Sequence, residues 1–141
     1  MKEYKYFIDT NVFIRVITAD IKKQFQDSYS FLESVKTGKN EAYISSLVIA
    51  EINWILSKFY KLSKEEVIMK LNGVLGLKNL KIIDDVDPVF ALKMFQDHSV
   101  KFIDAMIASN SLVSKGEMII VSYDRDFDKM GVKRIEPADL I

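Results

Sequence analysis

A doubly wound α/β domain is the fold this sequence predicts, built on a mostly parallel sheet of about five strands with helices on both faces. Short β-rich runs recur at residues 4–8, 42–45, 80–83, 118–121 and 132–135, each too short for a helix and bounded by polar or Gly residues. Helical patterns fill the intervals between them. Those intervals are long enough for crossover connections, which parallel strands require.

Each element carries its own signal. The first run, Tyr4-Lys5-Tyr6-Phe7-Ile8, ends at Asp9. Phe25, Tyr29, Leu32 and Val35 recur at helical spacing, and Gly38 stands where a C-terminal cap belongs. After the second run, a helix starting near Ser45 or Ser46 carries Val48, Ile52, Ile55 and Phe59 on one face and Leu47, Ala50 and Trp54 on the next. Being apolar nearly all round, it is expected to be buried. Ser63 and Glu66 form a capping box for a further helix that stops near Gly76. Asp87-Pro88 places an N-cap before proline in the first helical position. A last long helix is expected over residues 101–115, ending at Gly116.

The composition fits one domain over residues 1–141, with 49% apolar and 28% charged residues and no linker, repeat or low-complexity tract. The absence of Cys excludes a disulfide scaffold, a thiolate metal site, a thiol nucleophile and an iron–sulfur cluster. Twenty basic residues balance twenty acidic ones, so no overall positive field holds nucleic acid, and any such contact comes from a local patch. The start Met1-Lys2-Glu3-Tyr4-Lys5 has no apolar leader, and no apolar run is long enough to span a membrane. A cytoplasmic protein without membrane association is expected.

Four acidic residues stand where a carboxylate is awkward for packing. Asp9 and Asp124 follow the first and fourth strands, at the carboxyl ends where open α/β sheets place ligands. Glu51 and Asp104 interrupt the apolar runs around Ala50-Ile52 and Ile103-Ala105. A carboxylate in an apolar setting needs a cation, a proton or hydrogen-bond donors. Taken singly, Asp9 and Asp124 read as loop caps, and Asp104 reads as a first-turn residue favoured by the helix dipole. Taken together, oxygen ligands with no Cys and a single His favour a hard divalent cation, Mg²⁺ or Mn²⁺. Several carboxylates around such an ion suit metal-assisted phosphodiester cleavage.

At these residues the chain resembles a known family. Phe7-Ile8-Asp9-Thr10-Asn11-Val12-Phe13-Ile14-Arg15, Ser45-Ser46-Leu47-Val48-Ile49-Ala50-Glu51-Ile52, Phe102-Ile103-Asp104-Ala105-Met106-Ile107-Ala108 and Ser122-Tyr123-Asp124-Arg125-Asp126-Phe127 look like the successive motifs of PIN-domain ribonucleases, most closely the VapC-type toxins. The resemblance implies a doubly wound parallel sheet and an endoribonuclease dependent on Mg²⁺ or Mn²⁺, acting on RNA and silenced by a small antitoxin protein. It makes Asp9, Glu51, Asp104 and Asp124 the catalytic and metal-binding quartet, with Asn11 and Ser122 in support. Ser122 stands where the family more often has Thr. Asp126 lies two residues beyond Asp124 and competes with it for the fourth position; Asp124, nearer the strand end, is favoured.

Two rival readings stay open. Asp9-Thr10-Asn11 after a first strand also suits a receiver-type domain phosphorylated on Asp9, and the same fold could serve as a non-cleaving module that binds RNA or protein. Asp84-Asp85 reads as a solvated turn leading to Asp87-Pro88, and His98 as part of a polar loop. Arg15, Lys22, Lys23, Lys58, Lys61, Lys64 and Arg125 are candidates for a phosphate-binding rim. Phe25, Tyr29, Trp54, Phe59 and Tyr60 read mainly as core, with an antitoxin groove or a homodimer face as the alternative.

Overall fold

In the computed structural model, which describes residues 3–141, five parallel strands form one sheet in the order β3-β2-β1-β4-β5. Met1 and Lys2 of the polar N-terminal run lie outside the described residues. The strands are β1 (Lys5–Ile8), β2 (Glu41–Ile44), β3 (Leu80–Ile82), β4 (Met118–Val121) and β5 (Arg134–Ile135). The helices are α1 (Thr10–Thr18), α2 (Lys22–Lys36), α3 (Ser46–Trp54), α4 (Lys64–Leu75), α5 (Pro88–Asp97), α6 (Phe102–Ala108), α7 (Ser111–Ser114) and α8 (Asp126–Lys129). A π-helical segment, Ile55–Phe59, continues α3, and a 3₁₀ turn, Pro137–Leu140, follows β5.

From β1 the chain moves outward through β2 to β3, then crosses back to the other side of β1 for β4 and β5. Right-handed crossovers in opposite directions place α1 to α4 on one face and α5 to α8 on the other. Contacts among α1, α2, α3 and α4, and among α5, α6, α7 and α8, agree with two helical layers. Every side chain of β4 is buried, which explains why Met118-Ile119-Ile120-Val121 is apolar without alternation. The strand order reverses between β1 and β4, and the crevice beyond their carboxyl ends is the place where such a sheet binds ligands.

Several details differ from the sequence expectations. The buried residues of α2 are Asp27, Ser28, Phe31, Ser34 and Val35, with Leu32 at their margin, while Tyr29 is about half exposed. Val35 alone of the four apolar positions is fully covered, and the helix packs against α1 and the 3₁₀ turn after β5.

The helix after β2 is not buried all round. Val48, Ile52 and Leu56, spaced four apart, enter the core, whereas Trp54 is 61% and Phe59 73% exposed. From Ile55 the hydrogen bonds lengthen to i→i+5, as in Tyr60 N to Ile55 O at 3.1 Å, and this turns later side chains off the original stripe.

The expected helix at 101–115 breaks into α6 and α7. Asn110 turns its side-chain oxygen onto the Leu112 and Val113 amides, at 2.9 and 3.2 Å, and so caps a new helix instead of continuing the old one. The periodicity marks no separate helix behind Asp9, yet α1 begins at Thr10 and stops at Ala19, which takes a left-handed conformation.

Candidate functional site

The β1–β4 ladder extends one residue past the strand, where the Asp9 amide donates to Val121 O at 3.0 Å. That register sets Asp9 beside Ser122. The Ser122 hydroxyl donates to Asp9 Oδ2 at 2.6 Å and accepts from Asn11 Nδ2 at 3.1 Å and from the Asp124 amide at 2.9 Å. Asn11 returns the tie, its Oδ1 accepting from the Tyr123 amide at 3.3 Å. Asp9 Oδ1 accepts from the Thr10 amide at 2.8 Å, so Asp9 does cap α1 while its carboxylate also lines the crevice.

Asp104 arrives from the opposite helical layer, in the first turn of α6, and is 2% exposed. The carboxylates of Asp104, Asp124 and Asp126 each place one oxygen within 4.8 Å of the others. Asp104 Oδ2 is buried without a hydrogen bond. The Lys101 ammonium comes only to 3.8 Å from that atom, while lying 3.3 Å from Asp124 Oδ2. Asp126 pairs with Lys129 at 3.1 Å, and its amide donates to Asp124 Oδ1 at 2.9 Å. Glu51, half-buried on α3, shares with Asp9, Asn11, Arg15, Lys101 and Asp104 the lining of a cavity of about 270 Å³. Asp104 therefore belongs both to the cavity and to the tight carboxylate group.

Crowding is visible in the acidities. Burial, with the Glu51 charge adding to it, pushes Asp9 up to about 6 despite the Ser122 and Thr10 hydrogen bonds. Burial and then the Asp9 charge push Asp104 up to about 8, overriding Lys101. The dipole of α6 favours an anion at Asp104, but desolvation outweighs it. Burial also works against ionised Asp124, yet the Asp126 amide and the Lys101 ammonium hold it below the usual carboxylate value. Desolvation opposes the charge on Lys101, and the carboxylates of Asp104 and Asp124, with Glu51 behind them, nevertheless raise it.

The structure brings Asp9, Glu51, Asp104, Asp124 and Asp126 to one crevice, with Asn11 and Ser122 tying its floor. Lys101 is absent from the candidates that sequence supplies. Its only linear signal is a Lys three residues before Asp104 at the mouth of a helix, a spacing common on solvated faces. Arg134 is a second omission: its guanidinium donates to Ser122 O at 2.9 Å and pairs with Asp128 and Glu136, bracing the β4–α8 loop.

Asp84 is exposed in the irregular segment leading to Asp87-Pro88, as a solvated turn requires, and both acids are also engaged by hydrogen bonds. Asp84 accepts from the Ser46 amide and hydroxyl, each at 2.6 Å, which anchors the start of α3, and Asp85 accepts from the Ser111 hydroxyl. His98 is exposed at the end of α5. Of the basic residues considered, Arg15 lines the cavity, held to Asp20 at 3.0 Å with its Nε buried and unpartnered.

A parallel doubly wound sheet whose switch point gathers carboxylates from both helical layers defines a class of α/β domain built to concentrate oxygen ligands at one crevice. The PIN domain family model matches residues 6–133, and the chain belongs to that family. No curated protein matches it. Among solved structures it is similar to VapBC2 from Rickettsia felis bound to a DNA fragment from their promoter, at 23% identity and TM-score 0.68, over 94% of this chain and 98% of that one. PAE2754 from Pyrobaculum aerophilum is similar at 17% identity and TM-score 0.68, over 97% and 92%. VapBC-1 from nontypeable Haemophilus influenzae is similar at 15% identity and TM-score 0.62, over 94% and 98%. Likeness at these identities speaks to the fold.

Proposed function

We propose that this chain is a divalent-cation-dependent endoribonuclease, a single nuclease domain over residues 1–141 that acts as the toxin of a toxin–antitoxin pair. The observation that carries the reading is Asp104 Oδ2, a buried carboxylate oxygen with no hydrogen bond, on a carboxylate grouped with those of Asp124 and Asp126 and approached by the Lys101 ammonium only to 3.8 Å. A buried polar atom without a partner is costly, and a cation would satisfy it. The donor set fits Mg²⁺ or Mn²⁺.

Asp9, Glu51, Asp104 and Asp124 would hold the ion, with Asp126 as the alternative to Asp124. A cation bound there supplies Lewis acidity toward a phosphodiester and lowers the pKa of an attacking water. The chain's own groups do the rest. Ser122 and Asn11 fix the carboxylate of Asp9, and Arg15, on the cavity wall, offers its guanidinium to a phosphate. Trp54 and Phe59, exposed on the rim, present faces on which unpaired bases can stack, which favours single-stranded RNA.

An apolar groove of about 410 Å³ between α1, α2 and α4, lined by Phe13, Tyr29, Leu32, Met69 and Leu77 among others, suits an apolar segment of a small antitoxin. Val89, Leu92 and Phe95 of α5, with Phe102 of α6, form an exposed apolar face that suits a homodimer. A toxin acting on RNA beside its antitoxin works in the cytoplasm, and that is the location this reading carries; among the described residues no helix is long and apolar enough to cross a membrane. Phosphorylation of Asp9 is the weaker reading, because both carboxylate oxygens are engaged and the residue is buried.

Inhibitor-free protein should cleave single-stranded RNA with Mg²⁺ or Mn²⁺ and stop with chelator. Cleavage that persists in chelator, or in Asp104→Asn at the wild-type rate, would overturn the assignment.

A further inference from the structure

We infer that Lys101 is the built-in counter-cation of the acidic crevice, a positioning residue that a divalent ion must displace to bind. The inference rests on the metal reading above and concerns what competes with the ion. Lys101 stands at the N-terminal boundary of α6, so its side chain reaches across the crevice mouth from the helix that carries Asp104. Its ammonium is 3.3 Å from Asp124 Oδ2 and 3.8 Å from Asp104 Oδ2, and Lys101 shares the cavity wall with Asp9 and Glu51. It therefore pairs with Asp124, approaches Asp104 and lines the cavity at once.

The distances describe a guest that neutralises without coordinating. At 3.8 Å it leaves Asp104 Oδ2 without a hydrogen bond, so the buried oxygen keeps its need for a closer cation. A hard divalent ion takes carboxylate oxygens at about 2.0–2.6 Å. An ammonium and such an ion compete for the approach to Asp104 and Asp124, since two cations that close repel. The side chain of Lys101 is 62% exposed, and its flexible stem can carry the charge out to solvent. Lys129 is the contrasting case: it pairs with Asp126 but is also tied to Ser99 O at 3.1 Å. Of the two lysines, Lys101 is the one that faces the cavity.

Two consequences oppose each other and make the role measurable. Without metal, Lys101 offsets repulsion among carboxylates and supports the fold. With metal, it is a competitor, so removing its charge should tighten metal binding. A residue that only supports the fold would not tighten it.

The test is isothermal titration of Mn²⁺ into wild type, Lys101→Met, Lys101→Gln and Lys101→Arg, with thermal melts of each in chelator and in excess Mn²⁺. Both neutral variants should bind Mn²⁺ about fivefold more tightly, a size set by the partial exposure of the pair. They should melt below wild type in chelator and close most of that gap in Mn²⁺. Lys101→Arg, which keeps the charge, should stay near wild type in affinity. If wild type binds Mn²⁺ and both neutral variants bind it equally or more weakly, the counter-cation role is overturned and the nuclease reading stands. If none of the four proteins binds Mn²⁺, the metal reading falls and this inference with it.

Discussion

Ser122 Oγ donates to Asp9 Oδ2 at 2.6 Å, a single hydrogen bond that joins the ends of β1 and β4 across 113 residues of chain. The same hydroxyl accepts from Asn11 and from the Asp124 amide, so one buried atom sets the spacing of two acidic residues. Ser122→Ala should cost about 1–3 kcal/mol, because it strips partners from groups that stay buried. Ser122→Thr, which keeps the hydroxyl, should retain most of that stability. Urea titrations of the three proteins make the comparison.

The carboxylates themselves predict a loss of catalysis without a loss of fold. Asp9→Asn and Asp104→Asn keep shape but remove charge from the crevice, and each should lower Mn²⁺-dependent RNA cleavage by a factor on the order of 10²–10³. Expressed alone, wild type should arrest growth and Asp9→Asn should relieve the arrest. Equal toxicity would show that the acidic crevice is not the cause.

Stability of the metal-free protein should fall as pH rises from about 4 toward 8. Asp104 is raised from its ordinary 3.8 to about 8 and Asp9 to about 6, so between those limits the folded chain binds more protons than the unfolded one. The associated stability is complete below the unfolded value and is lost as pH climbs through the folded values. Asp104→Asn should flatten this slope and melt at or above wild type at pH 7.5 in chelator. A slope as steep in Asp104→Asn as in wild type would assign the pH response to other groups.

Metal should restore what ionisation removes. A cation that binds only the folded state adds about 2.7 kcal/mol at a hundredfold excess over its dissociation constant. Asp104→Asn should forfeit most of that increment. Melts in chelator and in excess Mn²⁺ read both quantities, and a full increment in the variant would place the ion elsewhere.

Trp54 and Phe59 separate binding from folding. Both are largely exposed, so alanine at either should change stability by less than about 0.5 kcal/mol. Loss of a stacked base should weaken single-stranded RNA binding by about 1–3 kcal/mol. Fluorescence anisotropy with a labelled oligonucleotide and catalytically silent Asp104→Asn protein provides the measurement.

Much of this was legible in linear order. The β-rich runs located each strand, and the doubly covered β4 is apolar on both sides, whereas the edge strand β3 keeps Lys81 and Ile82 exposed. The alternation with helices dictated parallel pairing. Acids that interrupt apolar runs, Glu51 and Asp104, flagged positions where packing alone gives no account of a carboxylate. Helix facing was less legible: the π-helical segment shifts Phe59 outward, and Asn110 caps a new helix within a pattern that reads as continuous. Both are local backbone choices that periodicity does not register.

The sequence by itself determined the strand order's raw material, the parallel class and the acids that have no packing role, because these follow from hydrophobic period and from the cost of burying charge. Only the tertiary structure decided which groups meet. Strand register put Ser122 on Asp9, the opposed helical layers brought Asp104 to Asp124 and Asp126, and a side chain at the start of α6 laid its ammonium between them. Those contacts depend on distances between elements far apart in the chain, and such distances are set by how the two layers pack on the sheet.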